Sequence, residues 1–334
     1  MKRKNCFRNC FTSCISLCVI AVMLIAAVSG CAQSAGGGKS GIRIFFSLNQ
    51  MDTFRQTLVD AAAERAAQVG AQFVMEDAEG SIEKQVEQIK GAAADKYDVI
   101  ICSPVSVDTI VQLKMSAENI PIVFVNSCPD EKYLQEGKYI YVGSSEQVAG
   151  QFQAEYMLEN LSGSQELNVV LIKGPANHSA TEGRTNGAKR TLEQSGKQIH
   201  YVFEDTANWD TEQAERLFEL FLRTGGSVDC VICNNDSMAL GVVEACRKNS
   251  IESGELLILG VDATADGCEA IRNGDMAFTV YQSGSGQGHA AVDAAVQLAG
   301  SGDIADVEGS TEDGKYVWVD FERVDSSNVS QYGK

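Results

Sequence analysis

The sequence predicts an α/β fold made of two doubly wound parallel-sheet lobes. Three observations lead there. From residue 42 onward, short runs rich in β-branched residues alternate with stretches of helical periodicity. The strand runs are almost continuously apolar, as expected of strands covered on both faces. About nine such α/β units are more than one sheet normally carries, and the chain's 334 residues suffice for two lobes, each on the order of 100–200 residues.

The elements follow in order. Ile42–Ser47 (IRIFFS) reads as the first strand. Thr53–Val69 reads as a helix with Phe54, Leu58, Ala61, Ala62 and Ala66 on one face. Gln72–Glu76 is a strand, Ser81–Ala94 a helix, Asp98–Cys102 a strand and Val107–Glu118 a helix; Pro121–Val125 and Tyr139–Val142 are strands. The pattern then restarts. Helices at Gln147–Leu161, Thr181–Gln194, Thr211–Thr224 and Ser237–Lys248 precede strands at Asn168–Ile172, Ile199–Phe203, Asp229–Cys233 and Leu256–Gly260. A short helix at Ala265–Asn273, a strand at Ala277–Tyr281, a helix at Gln287–Leu298 and a last strand at Tyr316–Asp320 complete the chain.

The N-terminus reads as an address rather than as structure. Lys2, Arg3, Lys4 and Arg8 precede an apolar run, Ile15–Val28, too short for a membrane span and suited to a signal-peptide core. It ends in Val28-Ser29-Gly30-Cys31, which resembles a bacterial lipobox. Residues 1–30 are therefore expected to be a lipoprotein signal peptide, and 31–41 a lipidated Cys31 followed by a flexible tether (AQSAGGGKSG). Acyl chains contribute roughly 0.8 kcal/mol per buried CH₂, enough for a stable anchor. The rival reading is an uncleaved signal anchor with a chance cysteine. Export places the body on the extracytoplasmic face of the cell membrane, in the periplasm of a two-membrane cell.

The formal charge is -18, and removal of residues 1–30 leaves 23 basic against 45 acidic residues. So acidic a body repels phosphate backbones, which excludes nucleic acid as a partner. Of eleven cysteines, six remain beyond Cys31: Cys102, Cys128, Cys230, Cys233, Cys246 and Cys268. Cys230 and Cys233 have CxxC spacing, but on a strand residues three apart face opposite sides. Buried free thiols are expected instead of a redox pair or zinc knuckle.

In doubly wound sheets ligands bind beyond the carboxyl ends of strands. The residues placed there are Asp52 and Phe54, Asn126, His178 and Arg184, Trp209, Asn235 with Asp236, Asp262, and Gln282. Such a set suits a sugar. Carboxylates accept, Arg donates a planar fork, and amides do both. Aromatic rings pack on the apolar C–H faces of a pyranose. Each residue has a plainer reading as cap or core; Asp210 with Gln213 is assigned to a capping box.

In that order the residues resemble the periplasmic galactose/glucose-binding protein family, within the ribose-type, class I solute-binding proteins of sugar ABC transporters. The matching segments are Asp52-Thr53-Phe54, IPIVFVN (120–126), YIYVGS (139–144), GPANHSATEGRT (174–185), DTANWDTEQ (205–213), CNNDSMALG (233–241), GVDAT (260–264) and Thr279–Gln282. The resemblance spans residues 42–328. It implies the type I periplasmic-binding-protein fold, with a three-crossing hinge near Ser144, Gln282 and Val319. Residues 42–144 plus 282–319 would form the N-terminal lobe, and 145–281 plus 320–334 the C-terminal lobe. It also implies capture of an aldohexose such as glucose or galactose by hinge closure. The implied partners are the monosaccharide, transporter permease subunits and, through the lipid, the membrane; the chain is expected to be monomeric. The implied ligand set is Asp52, Phe54, Asn126, His178, Arg184, Trp209, Asn235, Asp262 and Gln282, with no catalytic residue and no cofactor.

Three departures stand out. Ala180 replaces the carboxylate that the resemblance assigns to the anomeric end of the hexose. Ser47 stands where the family has Tyr and one residue is inserted before Asp52, so the lip near the first strand is expected to differ. Leu161–Leu167 is too short for the family's calcium loop and lacks its spaced ligands, so no metal is expected. An enzyme is not expected: His178 with Glu182 has no nucleophile elbow, HExxH or Walker loop around it. A sugar-responsive repressor would need a DNA-binding N-terminus. A lipoprotein presenting sugar to a receptor or sensor kinase remains the alternative output.

Overall fold

Twelve strands form two six-stranded sheets in the computed structural model, which describes residues 41–333. The expected signal peptide, Cys31 and the expected tether through residue 40 lie outside the described residues. The first sheet holds β1 (Arg43–Leu48), β2 (Gln72–Asp77), β3 (Val99–Cys102), β4 (Ile122–Val125), β5 (Tyr139–Gly143) and β11 (Tyr316–Trp318). The second holds β6 (Glu166–Lys173), β7 (Gln198–Thr206), β8 (Cys230–Cys233), β9 (Leu257–Leu259), β10 (Phe278–Tyr281) and β12 (Glu322–Asp325). Their orders, β2-β1-β3-β4-β5-β11 and β7-β6-β8-β9-β10-β12, are the same pattern twice.

The apolar runs bury both faces. Ile44, Phe46, Val99, Ile101, Val123 and Val125 face one way, into a core shared with helices α1 (Thr53–Gln68) and α9 (Gly284–Gly300). Phe45, Ile100, Ile122 and Phe124 face the other, toward α2 (Ile82–Ala94) and α3 (Ile110–Ser116). In the second sheet Val170, Ile172, Val231 and Cys233 pack with α6 (Thr211–Leu222), α7 (Asp236–Lys248) and α8 (Ala265–Asn273). Val169, Leu171, Cys230 and Ile232 pack with α4 (Glu146–Asn160) and α5 (Ser179–Gln194). Cys230 and Cys233 thus sit in different cores, as strand periodicity requires. All six cysteines of the described residues are free thiols.

The chain passes between the sheets three times, from β5 into α4, from β10 into α9, and from β11 to β12. The last crossing differs from expectation. The predicted strand Tyr316–Asp320 stops at Trp318, and a separate strand, β12, pairs antiparallel with β10. The reason is geometric. Strand β11 runs parallel to β5 and ends where the strands' carboxyl ends gather. With only three residues of link, the chain must enter the second sheet from that same end and run against its neighbours. The helix expected at Val107–Glu118 is also altered. Its first turn is a 3₁₀ turn that follows the Ser106 cap, and α3 ends at Ser116.

Glycines bring α4 and α5 unusually close. A Cβ on Gly150 would lie 1.9 Å from the Arg184 carbonyl oxygen, one on Gly187 2.1 Å from that of Gln147, and one on Gly183 2.5 Å from the Glu146 Cβ. Neither carbonyl can give way without moving its helix. Gly187→Val is therefore expected to destabilise the fold by roughly 2 kcal/mol or more, as overpacked cores do, read as a lowered urea midpoint with unchanged slope.

Candidate functional site

The carboxyl ends of both sheets open onto one cleft. It holds about 410 Å³ of space and is lined by Asp52, Phe54, Arg55, Asn126, His178, Ala180, Arg184, Trp209, Asn235, Asp262 and Gln282. The nine residues of the expected ligand set all line it, although up to 230 positions separate them, whereas Asp236 does not. Arg55 was missed; its only sequence signal is its place one residue beyond Phe54 in the first turn of α1. Ala180 lines the cleft, but Ser47 does not. Its hydroxyl is fully buried, donating to Gln88 Oε1 at 2.8 Å and accepting from Gln85 Nε2 at 3.3 Å. The departure at Ser47 therefore alters packing under α2 rather than the cleft lip, which corrects that part of the expectation.

Arg184 holds the floor together. Its guanidinium is 4% exposed. Nε donates to Glu146 Oε2 at 2.7 Å, Nη1 to the Asn234 carbonyl at 2.7 Å and more weakly to Asp262 Oδ1 at 3.5 Å, and Nη2 to Gln282 Oε1 at 3.1 Å. A buried cation requires such neutralisation; removing one partner of a buried pair costs about 3–5 kcal/mol. Glu146 was not foreseen. It reaches Arg184 because the glycines described above let α4 lie against α5.

Asp236 supports the site from behind. Its buried carboxylate accepts from Thr279 Oγ1 at 2.6 Å, from Thr264 N at 2.8 Å and from Thr264 Oγ1 at 3.1 Å. Asn235 caps α7, accepting from Met238 N at 3.0 Å. Asp236 thereby ties down the loop after β9 that carries Asp262. Burial raises the Asp236 carboxyl to about 6, against the hydrogen bonds from Thr279 and Thr264. Burial raises Asp262 to about 8, with Arg184 opposing the rise.

Three of the residues adopt left-handed backbone: Asn126 at φ 63°, Trp209 at φ 64° and Asp262 at φ 117°. Such conformations cost on the order of 1–3 kcal/mol for residues other than glycine and gather at functional sites. Trp209 lies across Gly174 at the end of β6, where a Cβ would come within 2.2 Å of the indole. The His178 ring meets the indole edge-on at 5.4 Å, and the Arg184 guanidinium carbon lies 5.8 Å from it. Phe54 and Trp209 each lean on the core of their own lobe. Asp210 caps α6 through Gln213 N at 2.7 Å, but the capping box is not completed: Gln213 Oε1 accepts from Asn208 Nδ2 at 2.9 Å and Asp210 N donates to the Ala207 carbonyl.

His178 is neutral at pH 7. Burial, reinforced by the charges of Arg55 and Arg184, lowers its pKa to about 4. Nδ1 accepts from the Ala180 N–H at 3.2 Å, so Nε2 carries the proton, 3.2 Å from Ser127 Oγ.

These features meet a known pattern. A periplasmic binding protein domain matches residues 44–303, and the chain belongs to that family. It is 32% identical to a putative rhizopine-binding protein of Rhizobium meliloti over 79% of this chain and 82% of that one. It is 28% identical to the D-galactose/methyl-galactoside binding periplasmic protein of Haemophilus influenzae, over 93% of this chain and 96% of that one. Among solved structures, it resembles an ABC transporter solute binding protein of Bacillus halodurans with bound myo-inositol. That match has a TM-score of 0.76 and 30% identity, and covers 89% of this chain and 99% of the other. The relatives are solute-binding proteins rather than enzymes. No helix among the described residues is long and apolar enough to cross a membrane.

The depressed His178 pKa sets a pH dependence. Below its unfolded value near 6.5, the unfolded state takes up a proton that the folded state refuses until about pH 4. Stability contributed by neutral His178 is thus present above pH 6.5 and lost as pH falls through this window. The stability difference between the wild type and His178→Asn is expected to narrow between pH 7 and pH 4.5. Denaturant melts at both pH values check it; a constant difference would contradict the buried neutral imidazole.

Proposed function

We propose that this chain is an extracytoplasmic solute-binding lipoprotein that captures a monosaccharide-sized cyclic polyol and delivers it to a sugar ABC transporter. The observation that carries this reading is one cleft lined from two lobes by an aromatic of each lobe, buried amides, a neutralised arginine and a carboxyl group. Ligand contacts with both lobes favour the closed form, which a permease can recognise. The polar groups suit hydroxyls, and unpaired buried partners would penalise analogues lacking one.

An aldohexose such as glucose or galactose is the first ligand reading, supported by Phe54 and Trp209 with the His178, Arg184, Asn235 and Asp262 set. A second reading, a cyclitol, is favoured by Ala180. A ring without an anomeric centre has no need of the carboxylate that the hexose pattern places there, and the 30% identical structure holds myo-inositol. A thermal-shift panel of pentoses, hexoses and inositols tests both. Stabilisation by a six-membered polyol is expected; no shift with any of them would refute the assignment. Trp209→Ala should weaken binding of the best ligand at least about tenfold, as expected for loss of a ring-packing aromatic, with an unchanged circular dichroism spectrum.

The lipid anchor at Cys31 rests on the lipobox resemblance. Labelling of growing cells with an alkyne fatty acid should mark the wild type, and Cys31→Ser should abolish both label and membrane retention.

A further inference from the structure

Resting on the assignment of the cleft to a solute captured by lobe closure, two hydrogen bonds beside the cleft bear on closure itself. Asn126, beyond β4 on the first lobe, and His178, the N-cap of α5 on the second, line the same cleft. At this point the lobes are joined directly. His178 Nε2 donates to Ser127 Oγ at 3.2 Å, and Cys128 N donates to Ser179 Oγ at 3.0 Å. One bond is thus donated from each lobe.

Local structure aims these groups. Ser127 N folds back to the Val125 carbonyl at 2.7 Å, a three-residue turn centred on Asn126 at φ 63°. That is the strained form of such a turn, and it persists only where its surroundings hold it. It takes the chain off the end of β4, so that Ser127 and Cys128 meet the start of α5. On the other side, His178 Nδ1 accepts from Ala180 N at 3.2 Å, which leaves Nε2 as the protonated nitrogen. Both ring nitrogens are therefore engaged within the chain. Ser127 is buried, and neither it nor Ser179 lines the cleft. Opening the cleft separates Asn126 from His178 and parts both bonds, whereas closure makes them whatever ring occupies the space.

We infer that Ser127, Cys128, His178 and Ser179 form a latch between the lobes. Ser127 and Ser179 are positioning residues that set affinity without setting specificity, and His178 serves affinity through the latch as well as by lining the cleft. Bonds made only in the closed form add to its weight, and apparent affinity scales with the fraction of the chain in the competent form.

Calorimetry with glucose, galactose and myo-inositol, together with small-angle scattering of the ligand-free mature chain, tests the latch. Ser127→Ala removes one acceptor and Ser179→Ala the other. Each is expected to weaken every solute that the wild type binds by one common factor, between about twofold and tenfold, as for loss of one neutral hydrogen bond. The ranking of solutes should not change. The double variant should weaken binding further and increase the ligand-free radius of gyration. Ser179→Thr, which keeps the hydroxyl, should restore wild-type affinity. Ligand-free melts establish that each variant folds. Unchanged affinity and unchanged scattering in the double variant, or a factor that differs from solute to solute, would overturn the latch and leave the solute assignment standing. No binding of any of the three by the wild type would count against that assignment, and the latch would then be decided by scattering alone: a larger radius in the double variant supports it, an unchanged one overturns it.

Discussion

The burial of one positive charge organises the second lobe and the crossings into it. Arg184, on α5, must be neutralised and its donors satisfied inside a nearly dry floor. The partners come from four places: Glu146 at the first crossing, the Asn234 carbonyl beyond β8, Asp262 beyond β9, and Gln282 at the second crossing. Each is fixed by something else. Glu146 depends on the glycine-lined contact of α4 with α5, and Asp262 on a loop tied to Asp236. Loss of any of these strands a charge in a medium that solvates it poorly, so the site and the local fold stand or fall together.

The cleft also shows how a binding surface can be prepared before its ligand arrives. Asn126, Trp209 and Asp262 hold left-handed backbone, and the indole has room only because residue 174 is glycine. Hydrogen bonds from obligate donors set the direction of each cleft amide, and the neutral His178 is held in one tautomer by the first turn of its own helix. Preorganisation of this kind reduces the ordering cost of binding. Among the described residues the two sheets are joined by three crossings, and Ser127 and Cys128 bond His178 and Ser179 between them. In the proposed capture of a ligand, contacts from both sides would add to the closed state.

Much of this was legible in the chain. Alternating helical and apolar runs predicted two doubly wound sheets, because strands buried on both faces need side chains that are apolar on both. Strand ends marked by Asp, Asn, His, Trp and Gln predicted the cleft, because parallel sheets with the same winding direct their loops to one end. Strand β12 was not separated from β11, since a three-residue link carries no signal of reversal; its direction follows from which end of the sheet the chain reaches. The supporting role of Asp236 was not legible, because it and Asn235 are both good caps and only the loop carrying Thr264 decides between them.

What the sequence by itself determined was nine of the residues that line the cleft and the strand ends that carry them. These follow from local periodicity and from position relative to strand ends. What the tertiary structure decided was which atoms of those groups remain available. Arg55 enters the cleft and Ser47 leaves it; Glu146 and Asp236 become supports; the side-chain oxygens of Asn126, Asn235 and Gln282 each accept a bond from within the chain. Those outcomes depend on partners distant in the chain, and a hydrogen-bonding group's chemistry toward a ligand is set by what its other atoms already hold.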